Sequence, residues 1–274
     1  MGSKKVAIVT GCSEGGIGNH LCQKLAKRDF IVYATSRSTS STQNLVHPNI
    51  RRLALDVTSD SEVKSVVATV IEECGYVDVL VNNAGLLVAS PIIDWKSDDI
   101  KDLYDTNVIS VVRLCREVVP HMAKRKSGTI VNMGSIVAEF STPWTGIYDS
   151  SKAAIHSLTE VLRMECKPFN IHVMLVVPGA VQSRLFDRQD DFTLPSTSIY
   201  GDFLHNIRQR LDAGKNKSTM PTDVFAEKLV AKVIQNHPPH YFSAGGLLTI
   251  FRLVGLLPRS VYLFIIWRMF SKSK

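Results

Sequence analysis

The chain reads as one α/β domain over residues 1–243, built on a doubly wound parallel sheet, followed by an apolar tail over 244–274. Three observations predict this class. Short β-branched runs alternate with longer amphipathic stretches through the first two thirds of the chain, which is the pattern of successive βαβ units. A glycine-rich turn separates the first apolar run from the first helical stretch. The residues able to do chemistry cluster where the strands end, and parallel sheets bind ligands at those ends. A length of 274 residues suits a single domain with a full core.

The elements follow in order. Val6-Ala7-Ile8-Val9 marks a strand at 5–9, and Thr10-Gly11-Cys12-Ser13-Glu14-Gly15-Gly16-Ile17-Gly18 turns it into a helix at 17–28. A second strand at 30–35 ends in Thr35-Ser36-Arg37-Ser38, and a third at 50–54 runs toward Asp56-Val57. A helix at 60–74 leads to a strand at 77–81 and then Asn82-Asn83-Ala84-Gly85. A long helix at 98–124 carries Asn107, and a strand at 128–133 points to Ser135. A helix at 147–167 and a strand at 171–177, closed by Pro178-Gly179, complete the alternation. Residues 184–220 break it: they are polar, with Pro195 inside and Pro221 just beyond, and hold one weak helix at 201–213. A connection of that length after a buried strand predicts a substrate lid. A helix at 222–235 and a short strand near 240–242 follow.

Bulk properties narrow the function classes. The five cysteines are scattered and none forms C-x-x-C, which argues against a disulfide framework and a metal site. Lys4-Lys5 leads straight into the first strand, so no secretory signal is expected. The net charge is +7, and Arg252, Arg259, Arg268, Lys272 and Lys274 stand in a terminal stretch without acids. The basic character therefore belongs to the tail and not to a nucleic-acid groove.

The chemistry is carried by Ser135, Tyr148 and Lys152. On a helix, a spacing of four places Tyr148 and Lys152 on one face. An ammonium beside a phenol favours the phenolate and lowers a pKa that starts near ~10. With a serine hydroxyl to hold an oxygen, this is a device for moving a proton at oxygen while a hydride moves at carbon. The glycine turn suits a pyrophosphate, because its backbone is open and a helix N-terminus stands behind it. An NAD site places an acid at the end of the second strand; here Arg37 and hydroxyls stand instead, which suits the 2′-phosphate of NADP(H). Asp56 and Val57 are positioned for the adenine, Asn83 and Gly85 for close approach, and Val181 and Ser183 for the nicotinamide. Asn107 is poorly placed in a helix interior, which points to a packing or site role.

In this order, these motifs resemble the short-chain dehydrogenase/reductase family over about residues 4–240. The resemblance implies a Rossmann fold and a tetrad of Asn107, Ser135, Tyr148 and Lys152. It implies that Tyr148 donates a proton and Ser135 holds the carbonyl oxygen. Lys152 would lower the tyrosine pKa and bind the nicotinamide ribose, and Asn107 would position a relay water. Gly11, Ser13, Gly16, Ile17 and Gly18 would hold the cofactor phosphates, although Gly15 makes the turn one residue longer than usual. The Tyr33–Arg37 segment, the long insertion and the tail are similar to a narrower group, the fungal NADPH-dependent 1-acyldihydroxyacetone-phosphate reductases. Related reductases of steroids, retinoids and polyketides share the motifs. A homo-oligomer is left open.

From Ala244 to Phe270 the sequence is apolar but interrupted by Arg252, Pro258-Arg259 and Arg268, so no run is long enough to span a bilayer. Aromatics interspersed with arginines predict two short helices lying in one leaflet, and the resemblance to the narrower reductase group implies that this membrane is the cytosolic face of the endoplasmic reticulum or a lipid droplet. Packing on the chain's own domain or on a partner subunit is the alternative. Two other function classes fit the residues less well. Gly11-Cys12-Ser13-Glu14-Gly15 matches the G-x-S-x-G nucleophile elbow of hydrolases, but no histidine stands in a motif that marks it as the base. A non-catalytic NADP(H)-binding scaffold would tolerate loss of the tyrosine or lysine, and both are present.

Overall fold

A computed structural model describes residues 4–183, 185, 192–212 and 218–271. Strands β1 (Val6–Val9), β2 (Ile31–Ser36), β3 (Ile50–Ala54), β4 (Val79–Asn82), β5 (Gly128–Met133), β6 (Ile171–Pro178) and β7 (Tyr241–Ala244) form one parallel sheet in the order β3-β2-β1-β4-β5-β6-β7. The chain winds outward from β1 to β3, returns beside β1 as β4, and winds outward again. The crevice between the carboxyl ends of β1 and β4 is therefore the switch point where such sheets bind ligands.

Period-two alternation divides the core between the two faces. Val6 and Ile8 join one cluster, with Val63 and Val67 of α2 (Asp60–Cys74), Leu114 and Val118 of α4 (Ser110–Lys124) and Ile155 of α5 (Gly146–Cys166). Ala7 and Val9 join the other, with Leu21 and Leu25 of α1 (Ile17–Ala26) and Phe225 and Leu229 of α7 (Thr222–Val233). Both faces of the sheet are thus covered, and its strands read as nearly continuous apolar runs. Helix α2 starts at Ser59, whose hydroxyl accepts from the Glu62 N–H, and stops at Gly75 in the left-handed conformation at φ +83°.

The helix expected over 98–124 is broken. α3 (Ser97–Tyr104) passes through a π turn at Asp105–Ile109 before α4 begins. Inside that turn the Asn107 side chain accepts from Leu86 N–H at 2.7 Å and donates to Leu86 O at 2.9 Å and Ser151 Oγ at 3.0 Å. The wider turn sets an otherwise unfavourable residue inward, where its hydrogen bonds join the β4 loop to α5.

The expected membrane-associating tail requires correction. Among the described residues no helix is long and apolar enough to cross a membrane. Instead α8 (Leu248–Val254) and α9 (Arg259–Phe270) fold back on the domain. Tyr262 and Ile266 are buried, and the Tyr262 hydroxyl donates to Ser141 O at 2.9 Å. Trp144 Nε1 donates to Phe270 O at 3.2 Å, and its ring lies 5.9 Å from that of Trp267. Phe140 packs against Phe251 and Tyr262. Phe251, Tyr262 and Trp267 meet aromatics of this same chain while Phe264 stays exposed, so the segment packs on the fold through one side. The expected lid lies partly outside the described residues; within it, α6 (Leu204–Asp212) is the weak helix expected near 201–213.

Candidate active site

One cavity of about 570 Å³ opens at the carboxyl ends of the strands. The turn after β1 forms one end. Gly11 stands at φ +69°, and a Cβ there would meet Ala84 Cα at 2.8 Å, so only glycine lets these two loops touch. Gly15 stands at φ +74° in a tight turn closed by Gly16 N–H donating to Ser13 O at 3.0 Å. The extra residue of the turn is thus absorbed locally. Gly16 caps α1 with no side-chain hydrogen bond, and no acid occupies the first turn. The free N–H groups and the positive dipole end remain available to an anion. Ser13 Oγ donates to Ser41 Oγ at 3.3 Å, which is not the arrangement of a hydrolase elbow, where a histidine takes the serine proton.

Asn83 braces this end. Its amide donates to Thr10 O at 2.8 Å and Gly11 O at 3.1 Å, while its N–H donates to Thr10 Oγ1. Gly18 is packed so tightly that a Cβ would lie 2.6 Å from both Gly11 O and the Asn83 amide. Its task is helix–loop contact, and it does not line the cavity. At the rim, Arg37 is exposed, and Asp56 accepts from the N–H and hydroxyl of Thr58. Those bonds, with the Arg37 charge adding to them, hold the Asp56 carboxyl below its ordinary range. Val57 is buried in the core and accepts from Arg113. Arg37, Asp56 and Val57 therefore stand apart from the cavity wall, whereas Gly11, Ser13, Gly16, Ile17, Asn83, Gly85, Val181 and Ser183 form it.

The other end gathers Ser135, Tyr148 and Lys152. Ser135 follows β5, and its N–H donates to His156 Nε2 at 3.3 Å. The Ser135 hydroxyl accepts from the Val137 N–H at 3.4 Å. Burial pushes the Tyr148 phenol up to about 12; the Ser135 hydroxyl and Arg210 oppose the rise, and Asp149 adds to it. Tyr148 is thus protonated throughout the neutral range. One turn along α5, Lys152 donates to Met133 O at 2.9 Å, with its nitrogen 5.7 Å from the Tyr148 ring centroid. Burial lowers it to about 8. A Cβ on Gly85 would lie 3.4 Å from Asn107 Oδ1 and 3.7 Å from Lys152 Nζ. Asn107 thus stands just behind the wall, with its amide engaged by Leu86 and Ser151.

Sequence reasoning missed part of the wall. Ser41 lines the cavity from the turn after β2; its signal was the hydroxyl-rich run Ser38-Thr39-Ser40-Ser41-Thr42. Leu247, Phe251 and Phe270 line it from the C-terminal segment, which no sequence signal tied to this site. Two arginines of α6 stand in different settings. Arg208 is exposed, and Arg210 is buried in the cavity wall.

Residues 5–193 match the short chain dehydrogenase family. A short-chain dehydrogenase of Penicillium crustosum is 33% identical over 258 residues, which cover 93% of this chain and 94% of that protein. The NADPH-dependent 1-acyldihydroxyacetone phosphate reductase of Saccharomyces cerevisiae is 32% identical over 259 residues, covering 92% and 86%. The crystal structure of a short-chain dehydrogenase from Streptomyces avermitilis superposes with a TM-score of 0.83 at 28% identity, covering 99% of this chain and 98% of that one.

Proposed function

The chain belongs to the short-chain dehydrogenase family, and on that premise we propose that it is an NADPH-dependent reductase of a lipophilic ketone. The observation that carries the reading is the convergence of Ser135, Tyr148 and Lys152 with the residues of the glycine turn in one cavity. The turn is suited to a dinucleotide: its glycines leave the backbone open, and α1 presents uncapped N–H groups. Ser13, Gly16, Ile17 and Asn83 hold NADP(H) at that end, and Val181 and Ser183 at the nicotinamide end. The absence of an acid after β2, with Arg37 standing there, favours the 2′-phosphate form.

When bound, the cofactor supplies a hydride for the ketone carbon. The Ser135 hydroxyl holds the ketone oxygen, and Tyr148 gives it the phenolic proton, which completes the secondary alcohol. The Lys152 ammonium stabilises the phenolate left behind and holds the ribose. Asn107 keeps the β4 loop against α5 and positions the water that returns the proton. The apolar side chains of Val137, Leu185, Leu247, Phe251 and Phe270 face the substrate.

For the substrate we propose 1-acyldihydroxyacetone phosphate, reduced to 1-acylglycerol 3-phosphate, under a lid formed by 184–220. The yeast relative that bears this activity in its name supports the choice. The corresponding location is the endoplasmic reticulum or lipid-droplet surface, for the sake of the substrate and not of the C-terminal segment. A second reading, another lipophilic ketone such as a steroid, a retinoid or a secondary metabolite, is favoured by the apolar part of the cavity wall, with Val137, Leu247, Phe251 and Phe270. The test is NADPH oxidation in mixed micelles against the acyl ketone phosphate, a steroid ketone, a retinal and a 3-ketoacyl thioester. Turnover confined to the first establishes the glycerolipid reading, and preference for another discards it. Tyr148→Phe should abolish turnover and retain NADPH binding; a variant that still reduces ketone removes Tyr148 as the proton donor.

A further inference from the structure

We propose that Arg210 is the recognition group of an anion subsite in the substrate end of the cavity, taking the phosphate or carboxylate of an otherwise apolar ligand. The inference rests on the reading of this cavity as the substrate site. Arg210 lies on α6, is 8% exposed and lines the cavity beside Tyr148 and Phe270. Guanidinium groups are rarely buried unless paired. Here Nη2 donates to the neutral Thr142 Oγ1 at 3.2 Å, and Nε is buried with no hydrogen-bond partner among the described residues. The Phe270 ring lies 5.5 Å from the guanidinium carbon and supplies an aromatic face, not a counter-ion.

Asp149 is the nearby acid that acts on Arg210, and it does not satisfy the guanidinium. Asp149 Oδ2 accepts from the Thr142 N–H at 2.9 Å, and Oδ1 has no partner among the described residues. Two complementary groups are thus each short of a bond and not joined to one another. The same cavity is lined by the apolar side chains of Val137, Leu185 and Phe251. A planar fork of donors at an apolar wall matches an oxyanion carried on a hydrocarbon chain.

The test measures binding and not turnover. Octyl phosphate, octanoate and octanol are titrated calorimetrically into the NADPH-saturated wild type, Arg210→Gln and Arg210→Lys. The wild type should bind at least one of the two anions about tenfold or more tightly than octanol. Arg210→Gln should lose that preference and Arg210→Lys should keep part of it, with NADPH affinity equal in all three. The better of the two anions identifies the headgroup. Equal binding of the three probes by the wild type, binding of none, or an unchanged preference in Arg210→Gln overturns the subsite. The wild-type comparison alone decides if the glutamine variant fails to fold. Failure of the reductase reading shows separately, as absence of NADPH oxidation with every ketone.

Discussion

Replacing Asp149 by Asn should make the protein more stable, and by an amount that grows with pH. Asp149 is 3% exposed, and burial raises its carboxyl from 3.8 to about 7 against the opposing pull of the Thr142 N–H, Arg210 and the Thr145 and Thr142 hydroxyls. Between those two values the native state holds a proton that the unfolded chain has released, so stability falls as pH rises through the window. A tenfold difference in proton affinity between the two states is worth about 1.36 kcal/mol. The penalty carried by the wild type is then roughly 1.5 kcal/mol at pH 5 and roughly 4 kcal/mol at pH 8. Asn keeps an acceptor for the 2.9 Å bond from Thr142 and has nothing to ionise. Urea unfolding of both proteins at pH 5, 6, 7 and 8 measures the difference. A gap that widens by about 2–3 kcal/mol across the series supports the reasoning. A gap independent of pH would refute it, and would mean that the carboxylate is ionised in the fold with Arg210 as its counter-ion.

The other predictions concern the cofactor, the lysine and the C-terminal segment. Arg37→Asp should cut the preference for NADPH over NADH by about tenfold or more, since it exchanges a cation for an anion where the 2′-phosphate is proposed to sit; an unchanged ratio in steady-state kinetics would take Arg37 out of that site. Because burial lowers Lys152 to about 8, its ammonium is lost as pH rises through that value. The kcat/KM for ketone reduction should hold below pH 8 and decline above it, and a flat profile to about pH 9.5 would detach Lys152 from the proton transfer. Tyr262→Ala should cost about 3 kcal/mol, because the ring is buried against Phe140 and its hydroxyl bonds Ser141 O. A loss below about 0.5 kcal/mol in urea titration would mean that α9 is not held on the domain.

The alternation of strands and helices, the glycine turn and the Ser135, Tyr148 and Lys152 spacing were legible because each is a local pattern. Period two buries both faces of β1, and a separation of four puts two residues on one helix face whatever lies beyond. The π turn at Asn107 was not legible. Its cause is a set of bonds to Leu86 and Ser151, residues distant in the chain. Only the misfit of an asparagine in a helix hinted at it. Gly15 was visible as an extra residue, but its turn is closed by one hydrogen bond that composition does not encode.

The C-terminal segment and Arg210 mark the limit most clearly. Aromatics beside arginines have the same composition at a lipid interface and in a wall packed on a sheet domain. What distinguishes the two is the partner, and here Trp144 and Phe140 fill that place. Arg208 and Arg210 stand two apart on one short helix, yet one is exposed and the other lines the cavity. The order of the elements, the family motifs and the spacing of Tyr148 and Lys152 on one helix face follow from the chain alone, because they depend on neighbours along it. Three-dimensional packing selects which side chains are removed from water and what they meet there. Burial is a property of distant residues brought together, and it sets whether an arginine is solvated or held waiting for an anion.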